Sequence, residues 1–585
     1  MLASMKHESF YVTGTWVDET MGIYLGWSAA ENCFACKMPV YSEDRKTILV
    51  FSGEEFPDAG AARRLKEHGH VFKANTAEYL VHLYEDDPGF PVSLNGRFHG
   101  LVVDTARRCA ALFNDRYGMH RIYYHESRKG FYFAGEAKAL LSVHPHLRSL
   151  DLRSLGEFLA CGCVLENRTL FKGIQVLPCA AKWTFENGGV AHKGSYFQPR
   201  EWEEQPQADP QTYYRELRTV FSENLSRYFI AGQPIGMSLT GGLDTRMIMA
   251  WRKPAAGTLP CYTFGSMFHD CHDVVLARKV AGLCQQPHSV IRVNGDFLQR
   301  FPRYAERAVY LTDGCVDVGR SADLYVNEIT RGIAPVRMTG NYGGEVMRRV
   351  RAFKPIPPNS DLFCAELGNN VRQAGQTYAE LIKGHPLSFA VFKQAPWHHY
   401  GLLALEETQL SLRSPYLDND FVRTVFRAPE SACTSNDVCL GLIGDADATL
   451  RGIRTDRGLG GTGLRWATTR LLLELQFKAE YACDYGMPQW AAPIDSLVSG
   501  LQPSRLFLGR HKFAHFRIWY RDYLSAYVKD VLLDPAALAR PHLNRQQVEA
   551  VVKGHLSGTQ NRTLEIHKLL TVELIYRSLL ESWAN

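Results

Sequence analysis

Residues 234–247 read PIGMSLTGGLDTRM, and this stretch decides the fold that we expect. It passes from an apolar, strand-like segment directly into Thr240-Gly241-Gly242-Leu243-Asp244-Thr245 and then into helix-forming residues. Two glycines let the backbone approach a polyanion, and the start of a helix directs free N–H groups towards it. The hydroxyls of Thr240 and Thr245 add donors, and Asp244 supplies a hard oxygen for Mg²⁺. The pattern predicts a phosphate-binding turn, and the plain alternative is a structural strand–turn–helix corner.

Strand and helix patterns alternate on both sides of this turn. Strands are predicted at 235–239, 259–264, 288–293 and 335–339, and helices at 243–252 and 273–284. Such alternation predicts a parallel, doubly wound α/β sheet, in which ligands bind at the carboxyl ends of the strands. Both the Gly241-Gly242 turn and the Thr339-Gly340 turn fall at such ends. Beyond residue 360 the chain is predicted to be mostly helical.

The first two hundred residues are predicted to be rich in β-strands. Short apolar runs lie between turn residues at 47–51, 100–103, 109–113, 122–124 and 131–134. A segment rich in Pro, Glu and Gln follows and is the predicted linker. We therefore expect one domain over residues 1–198, a linker over 199–212 and a second domain over 213–585.

Composition excludes several classes of protein. The 585 residues are 45% hydrophobic and 22% charged, and the net charge of +5 comes from 66 basic and 61 acidic residues. This near balance argues against a dedicated nucleic-acid binder, and the basic, aromatic stretch 505–521 is predicted to be an amphipathic helix on a core. We expect no membrane insertion, because no run of 18 apolar residues occurs. The dilute cysteines and the polar opening residues favour a cytoplasmic protein with reduced thiols.

Several motifs, in order along the chain, resemble those of the asparagine synthetase family, the glutamine-dependent ATP ligases. The turn itself resembles the Ser-Gly-Gly-Leu-Asp-Ser loop of enzymes that cleave ATP between the α and β phosphates. The others are LNGRF at 94–98, NDRYG at 114–118, FAGEAKAL at 133–140, TLFKGI at 169–174 and RSPYLD at 413–418. The resemblance implies an α+β N-terminal-nucleophile-like domain, then an α/β doubly wound parallel-sheet ATP-pyrophosphatase domain with a helical C-terminal part. Family members are often homodimers.

The positions that handle glutamine in this family are altered here. The family's nucleophile is a cysteine at the mature N-terminus, whereas this sequence opens with Met1-Leu2-Ala3. The family's Asn-Gly-Glu appears as Ser52-Gly53-Glu54, and its Asp-Thr-Glu as Thr76-Ala77-Glu78. Its Arg-Gly-Pro-Asp segment is not found before Thr47. We therefore expect no glutamine hydrolysis, and a first domain that is a structural relic or a docking surface.

The resemblance also implies a site for ATP and Mg²⁺ in the second half. The residues that correspond to nucleotide-binding positions are Ser238, Thr240, Gly241, Gly242, Leu243, Asp244, Thr245, Phe264, Thr339 and Gly340. Asp244 corresponds to one metal ligand. Glu345 takes the place of the second if one inserted residue is allowed, and without that insertion Gly344 stands there and the ligand is missing.

Two catalytic positions depart from the family pattern. With the same inserted residue, Tyr342 stands where β-lactam synthetase, a relative that closes an internal amide, carries a catalytic tyrosine; the alternative is a packed aromatic. Asp456 stands where the family has a lysine that stabilises the intermediates, and Arg454 or Arg457 could supply that charge instead. We therefore name Tyr342, Arg457 and Asp244 as candidate catalytic residues.

These positions predict an amide-forming ligase. ATP would activate a carboxylate as an acyl-adenylate, releasing pyrophosphate, and an amine would then displace AMP. The expected partners are a small-molecule or peptide carboxylate and an amine. The alternatives are an asparagine synthetase using free ammonia, a peptide or β-lactam-type cyclase, and a catalytically silent scaffold.

Overall fold

The structure is a computed structural model that describes residues 1–58, 60–73, 75–186, 188–455, 458, 475–480 and 508–581. Its first part is a mixture of three antiparallel sheets and short helices. The strands are β1 (Tyr11–Asp18), β2 (Ile23–Ala30), β3 (Val40–Tyr41), β4 (Thr47–Glu55), β5 (Gly96–Asp104), β6 (Cys109–Asn114), β7 (Tyr123–Ser127), β8 (Gly130–Ala134), β9 (Gln175–Val176), β10 (Ala181–Glu186) and β11 (Gly189–Ser195). The helices are α1 (Leu2–Met5), α2 (Ala61–Glu67), α3 (Tyr79–Asp86), α4 (Ala137–Val143) and α5 (Leu152–Cys161).

The central sheet of this part has six strands in the order β11-β10-β6-β5-β4-β3. Alternate residues of β4 pack on opposite faces, since Ile48 belongs to one hydrophobic cluster and Leu49 to another. Val102 and Val103 of β5 divide in the same way. Because side chains alternate along a strand, a sheet covered on both faces needs continuous apolar runs. The strands predicted from the apolar runs at 47–51, 100–103 and 109–113 are confirmed. Their position in a sheet that is covered on both faces explains why these runs are apolar.

The second part contains a five-stranded parallel sheet, as predicted from the alternation of strands and helices. Its order is β14-β13-β12-β15-β16, and all four neighbouring pairs are parallel. Its strands are β12 (Ile235–Ser238), β13 (Cys261–Gly265), β14 (His288–Arg292), β15 (Val336–Met338) and β16 (Ser411–Arg413).

Helices surround this sheet and form the C-terminal part. They are α6 (Arg200–Glu203), α7 (Pro210–Asn224), α8 (Leu243–Arg252), α9 (His272–Leu283), α10 (Gly295–Leu311), α11 (Ser321–Arg331), α12 (Gly343–Arg348), α13 (Ala365–Leu381), α14 (Pro386–Phe389), α15 (Tyr400–Glu407), α16 (Asn419–Val425), α17 (Glu430–Thr434), α18 (Asp437–Ala446), α19 (Ala448–Arg451), α20 (Phe516–Ile518), α21 (Ser525–Leu532), α22 (Pro535–Leu538), α23 (Arg545–Leu556) and α24 (Thr563–Ile575). Within the described part of the chain, no helix is long and apolar enough to span a bilayer.

One predicted helix is confirmed only in its second part, where Phe516–Ile518 and Trp519–Tyr523 are helical. Residues 505–507 lie outside the described ranges, and residues 508–515 are not helical; the helix α20 begins only at Phe516. The reason is a buried carboxylate, since Glu480 accepts the backbone N–H groups of Gly509 at 2.7 Å and His511 at 2.8 Å. Amide groups held by a side chain cannot also donate to helix carbonyls.

The two halves of the molecule share a hydrophobic core. Leu155 and Phe158 of α5 belong to the same cluster as Leu367 and Val371 of α13. A Cβ on Gly156 would lie 2.6 Å from the Cβ of Asn370, so only glycine permits this close packing of the two helices. The linker at 199–212 therefore remains a prediction. The hydrophobic core is continuous between the two halves that it would separate.

Two of the family-like motifs meet at the same interface. Asn95, from LNGRF, donates to the carboxylate of Asp418 at 3.2 Å and accepts the backbone N–H of Asn419 at 2.9 Å. Arg413, from RSPYLD, forms a two-pronged ion pair with Glu54 at 2.9 and 3.0 Å. These motif residues therefore join the halves through polar contacts at buried positions.

Candidate functional site

The predicted phosphate-binding turn lies between β12 and the ten-residue helix α8. Hydroxyls within the turn hold it: the N–H of Thr240 donates to Oγ1 of Thr245 at 3.4 Å, and that of Gly242 to Oγ1 of Thr240 at 3.3 Å. The N–H of Gly241 donates to the Asp273 carboxylate at 2.7 Å. A turn amide next to the start of a helix thus donates to a carboxylate oxygen. A phosphate oxygen is an acceptor of the same type.

The Thr339-Gly340 turn follows the neighbouring strand β15 and packs directly against α8. A Cβ on Gly340 would lie 2.8 Å from the backbone nitrogen of Thr245, and one on Gly343 would lie 2.6 Å from Cγ of Asp244. Contacts this short leave no room for a side chain, so both positions require glycine. The structure therefore brings the two predicted nucleotide-binding segments together at the carboxyl edge of adjacent parallel strands.

Asp244 lies in the first turn of α8, where its carboxylate is held by Arg348 of α12. The two guanidinium nitrogens of Arg348 each donate to one carboxylate oxygen at 2.8 Å, which is the two-pronged geometry that arginine favours. Side-chain exposure is 21% for Asp244 and 16% for Arg348, so the pair is largely shielded from water. Tyr416 donates to the backbone carbonyl of Asp244 at 2.7 Å and fixes the turn from below.

Glu345, the predicted second metal ligand, lies one helical turn before Arg348. Burial, together with the nearby Asp244 carboxylate, raises the pKa of Glu345 to about 7. Its Oε1 lies 3.4 Å from Nε2 of His399, whose pKa burial lowers to about 3. Because His399 stays neutral at neutral pH, this contact is not a charged salt bridge.

The donor chemistry of Asp244 and Glu345 suits Mg²⁺, which prefers carboxylate oxygens. Both oxygens of Asp244, however, already accept from Arg348. A Cβ on Gly344 would lie 3.2 Å from Nη2 of Arg348, so that position faces the guanidinium and offers no carboxylate. The carboxylates of Asp244 and Glu345 are thus suitable ligand types for Mg²⁺. Arg348 would compete with the metal for the carboxylate of Asp244.

The predicted adenine-side residues are linked by an arginine that the sequence did not single out. Arg337 of β15 donates to Oγ of Ser238 at 3.1 Å and to Oε1 of Glu406 at 2.9 Å. Its guanidinium lies 5.1 Å from the centre of the Phe264 ring, within cation–π range. A charged residue in an otherwise apolar strand is the signal that marks such a position, since charged side chains are rarely buried without a partner.

Tyr342 lies between the turn and α12, in the left-handed region at φ 71°. Only 7% of it is exposed, and its ring meets the His399 ring edge-on at 5.7 Å. Burial raises the pKa of Tyr342, so its phenol keeps its proton at neutral pH. The other candidate catalytic residue, Arg457, lies outside the described residues, as does Asp456. The described chain nearest to them is held to α8, because Arg246 donates to the carbonyl of Ile453 at 2.5 Å.

A cavity of about 670 Å³ lies between the two halves. Polar residues on its wall include Ser52, Glu54, Arg97, His120 and Glu407. Oγ of Ser52 lies 2.9 Å from Nε2 of His120, and Oε1 of Glu407 lies 2.6 Å from Nη2 of Arg97. Within the Ser52-Gly53-Glu54 segment, the side chains of Ser52 and Glu54 therefore already contact other residues of this chain, His120 and Arg413.

Two residues that shape the turn escaped the sequence analysis. Asp273, which receives the Gly241 amide, belongs to the first turn of α9, the helix after the neighbouring strand β13. Arg348, which binds Asp244, is the last residue of the helix that starts at Gly343-Gly344, and Arg349 follows it directly. The signal for Asp273 was available, because helices that follow adjacent parallel strands begin at the same edge of the sheet.

Comparisons with known proteins give the class. Residues 1–197 match the family model described as a glutamine amidotransferase domain. Glutamine-hydrolysing asparagine synthetase 3 of Bacillus subtilis is 28% identical over 217 residues, 36% of this chain and 34% of that protein. The corresponding protein of Mus musculus is 25% identical over 271 residues, 42% of this chain and 44% of that protein. The matches thus span less than half the length of these relatives.

A solved structure of glutamine phosphoribosylpyrophosphate amidotransferase from Bacillus subtilis aligns at 10% identity with a TM-score of 0.20, over 45% of this chain and 52% of its own. The fold and the sequence matches define an N-terminal-nucleophile-like amidotransferase domain followed by a parallel α/β part. The chain is thus similar to asparagine synthetases over part of its length, and its first third matches a glutamine amidotransferase domain.

Proposed function

We propose that this protein is an ATP-dependent, amide-forming ligase that works without hydrolysing glutamine. A carboxylate attacks the α-phosphate of ATP and forms an acyl-adenylate and pyrophosphate; an amine then attacks the acyl carbon, and AMP leaves. The observation that carries the proposal is the Gly241-Gly242 turn at the start of α8, packed against the Thr339-Gly340 turn. In open parallel sheets this edge is where ligands bind.

The turn is suited to the phosphates of ATP. The positive end of the α8 dipole favours an anion at this place. The amide of Gly241 donates to the Asp273 carboxylate, and a phosphate oxygen would replace Asp273 as the acceptor. The hydroxyls of Thr240 and Thr245 lie 3.3 Å apart in the same turn and can donate to further phosphate oxygens.

Bound Mg²⁺ would supply positive charge for the pyrophosphate. Asp244 and Glu345 are the residues that would hold it. Arg348, whose guanidinium is freed if Asp244 takes the metal, supplies a second positive charge within this part of the site. Arg457 is proposed to take over the charge of the family's lysine.

The amine is proposed to come from a second substrate. Glu54, at the position of the family's glutamine-handling segment, is instead bound by both prongs of Arg413. Ser52, at the neighbouring position, contacts His120. Tyr342 is proposed to lie beside the attacking amine, where its protonated phenol would donate a hydrogen bond. Steady release of ammonia from glutamine by the purified protein would contradict this part of the proposal.

The test is release of AMP and pyrophosphate from ATP, with hydroxylamine as the trapping amine and a panel of amino acids, sugar acids and peptides. Release that depends on one carboxylate and is lost in Asp244→Ala is the expected result. Asp530→Ala is the matched control, because Asp530 is exposed on helix α21 and should leave release unchanged. Equal loss in both variants, or release that survives Asp244→Ala, would refute the assignment of Asp244.

A second candidate function is a catalytically silent scaffold. It is favoured by one observation, namely that Arg348 and Asp273 already occupy the groups that would hold Mg²⁺ and phosphate. A scaffold would bind no nucleotide. Calorimetry with MgATP therefore separates the two functions: binding that disappears in Asp244→Ala supports the ligase, and no binding at millimolar nucleotide supports the scaffold.

A further inference from the structure

We propose that Glu43, His70, His82 and Glu85 form a site for a divalent transition metal, of which Zn²⁺ is the best match. One ligand atom from each residue lies within 4.8 Å of the others. The four side chains converge from three segments: the turn between β3 and β4, the loop after α2, and helix α3. His82 and Glu85 are three residues apart on α3 and so share one helix face. The proposal does not depend on the ligase function.

Three distances between the side chains approach those of tetrahedral coordination. Nδ1 of His82 lies 3.2 Å from Oε2 of Glu43 and 3.5 Å from Oε2 of Glu85, and Nδ1 of His70 lies 3.2 Å from Oε1 of Glu43. A tetrahedral ion with bonds of about 2.0–2.2 Å separates its ligands by roughly 3.3–3.6 Å. Small side-chain rotations would therefore complete the coordination. Nitrogen and carboxylate oxygen are both ligand types that zinc accepts.

His82 provides the independent observation. Only 3% of it is exposed, and its Nδ1 forms no hydrogen bond with any described residue, although two carboxylates lie close by. A buried polar nitrogen without a hydrogen bond is costly. A metal ion between the histidine and the carboxylates would satisfy it. The His70 and His82 rings are stacked at 4.6 Å, so both present their edges to the same space.

A second layer of residues orients His70. Its Nε2 lies 3.2 Å from Oδ1 of Asp86, while Oδ2 of Asp86 lies 2.7 Å from Nδ1 of His68. When Nε2 carries the proton and donates to Asp86, Nδ1 directs its lone pair towards Glu43 and the cluster. Carboxylates that accept from the far nitrogen of a ligating histidine are a regular feature of metal sites.

The competing interpretation is a network of protonated histidines and carboxylates that holds the segments together without metal. Calorimetric titration of metal-free, full-length protein with Zn²⁺ distinguishes the two. We expect saturable binding of one ion per chain and a higher melting temperature with Zn²⁺. His82→Gln and the partly exposed Glu85→Gln should each weaken binding strongly. Asp86→Asn should keep the stoichiometry and lower affinity about 10- to 100-fold.

His146→Gln is the matched control. His146 belongs to a separate group with His125 and His144, whose ring centres lie 5.3 to 5.9 Å apart. This variant should bind Zn²⁺ as the unmodified protein does. Absence of saturable binding, or binding that Glu85→Gln and His82→Gln leave intact while both remain folded by circular dichroism, would overturn the proposal. Loss of the bound ion in His146→Gln would overturn it as well.

Discussion

Replacing Arg348 with Gln is expected to lower the Mg²⁺ concentration that nucleotide binding requires. Arg348 donates to both oxygens of Asp244 at 2.8 Å, so the metal has to displace it from the same carboxylate. The variant removes that competitor and leaves Asp244 in place. A glutamine side chain can still donate one neutral hydrogen bond, which limits the disturbance of the turn.

The contacts set the size of the effect. Hydrogen bonds to charged groups contribute about 1.5–3 kcal/mol each, and the partial exposure of both side chains reduces this by solvent screening. A net value of about 2 kcal/mol for the pair is reasonable, since some of it persists with glutamine. At about 1.4 kcal/mol per tenfold change, this corresponds to roughly a 30-fold lower half-saturating Mg²⁺ concentration.

The assay is calorimetry with a non-hydrolysable ATP analogue over a series of Mg²⁺ concentrations. Arg349→Gln is the control, because Arg349 pairs with the exposed Glu430 at 2.6 Å and has no contact with Asp244. The Mg²⁺ dependence of the control should match that of the unmodified protein. An unchanged half-saturating concentration in Arg348→Gln would show that Asp244 does not hold the metal.

Three further predictions concern stability and the turn. Burial raises the pKa of Glu55 to about 8. The folded protein therefore retains a proton that the unfolded chain loses near pH 4.5. The stability contribution of Glu55 should be fully present below pH 4.5 and should fall as pH rises to about 8, by up to about 1.4 kcal/mol per pH unit. Melting temperatures across this range should show a shallower fall in Glu55→Gln, and an identical slope would contradict the linkage. Glu54→Ala leaves the buried Arg413 with only carbonyl partners, so urea denaturation should show a loss towards the lower end of about 3–5 kcal/mol; an unchanged midpoint would contradict this. Gly343→Ala forces a Cβ against Asp244 and should cost about 1–3 kcal/mol and weaken MgATP binding, whereas Gly375→Ala, with open space around its Cβ, should do neither. Equal behaviour of the two glycine variants would argue against close packing of the turns.

Local pattern predicted the elements that form the site. Continuous apolar runs identified the strands, and helix α8 begins and ends at the residues predicted for it, Leu243 and Arg252. The glycines between strand and helix then located the turn. These features depend on residues close together in sequence, so periodicity and turn chemistry were sufficient.

Partnerships between distant residues could not be predicted in the same way. Arg348 reaches Asp244 from a different helix, α12, and the two residues lie 104 positions apart in the sequence. Glu480 keeps the first part of a predicted helix non-helical by accepting amides about thirty residues away. The segments that carry His70 and His82 converge only through the packing of α2, α3 and the β3–β4 turn. Each of these contacts depends on tertiary structure and leaves no periodic trace in the sequence.

The core shared by α5 and α13 gives the first half a structural role that does not depend on glutamine chemistry. Removing it would expose the apolar face of α13, including Leu367 and Val371, to water. It would also take Asn95 away from the fully buried Asp418. The amidotransferase-like half thus serves as a permanent folding partner within the same chain, and separate expression of the second half should yield an aggregation-prone protein.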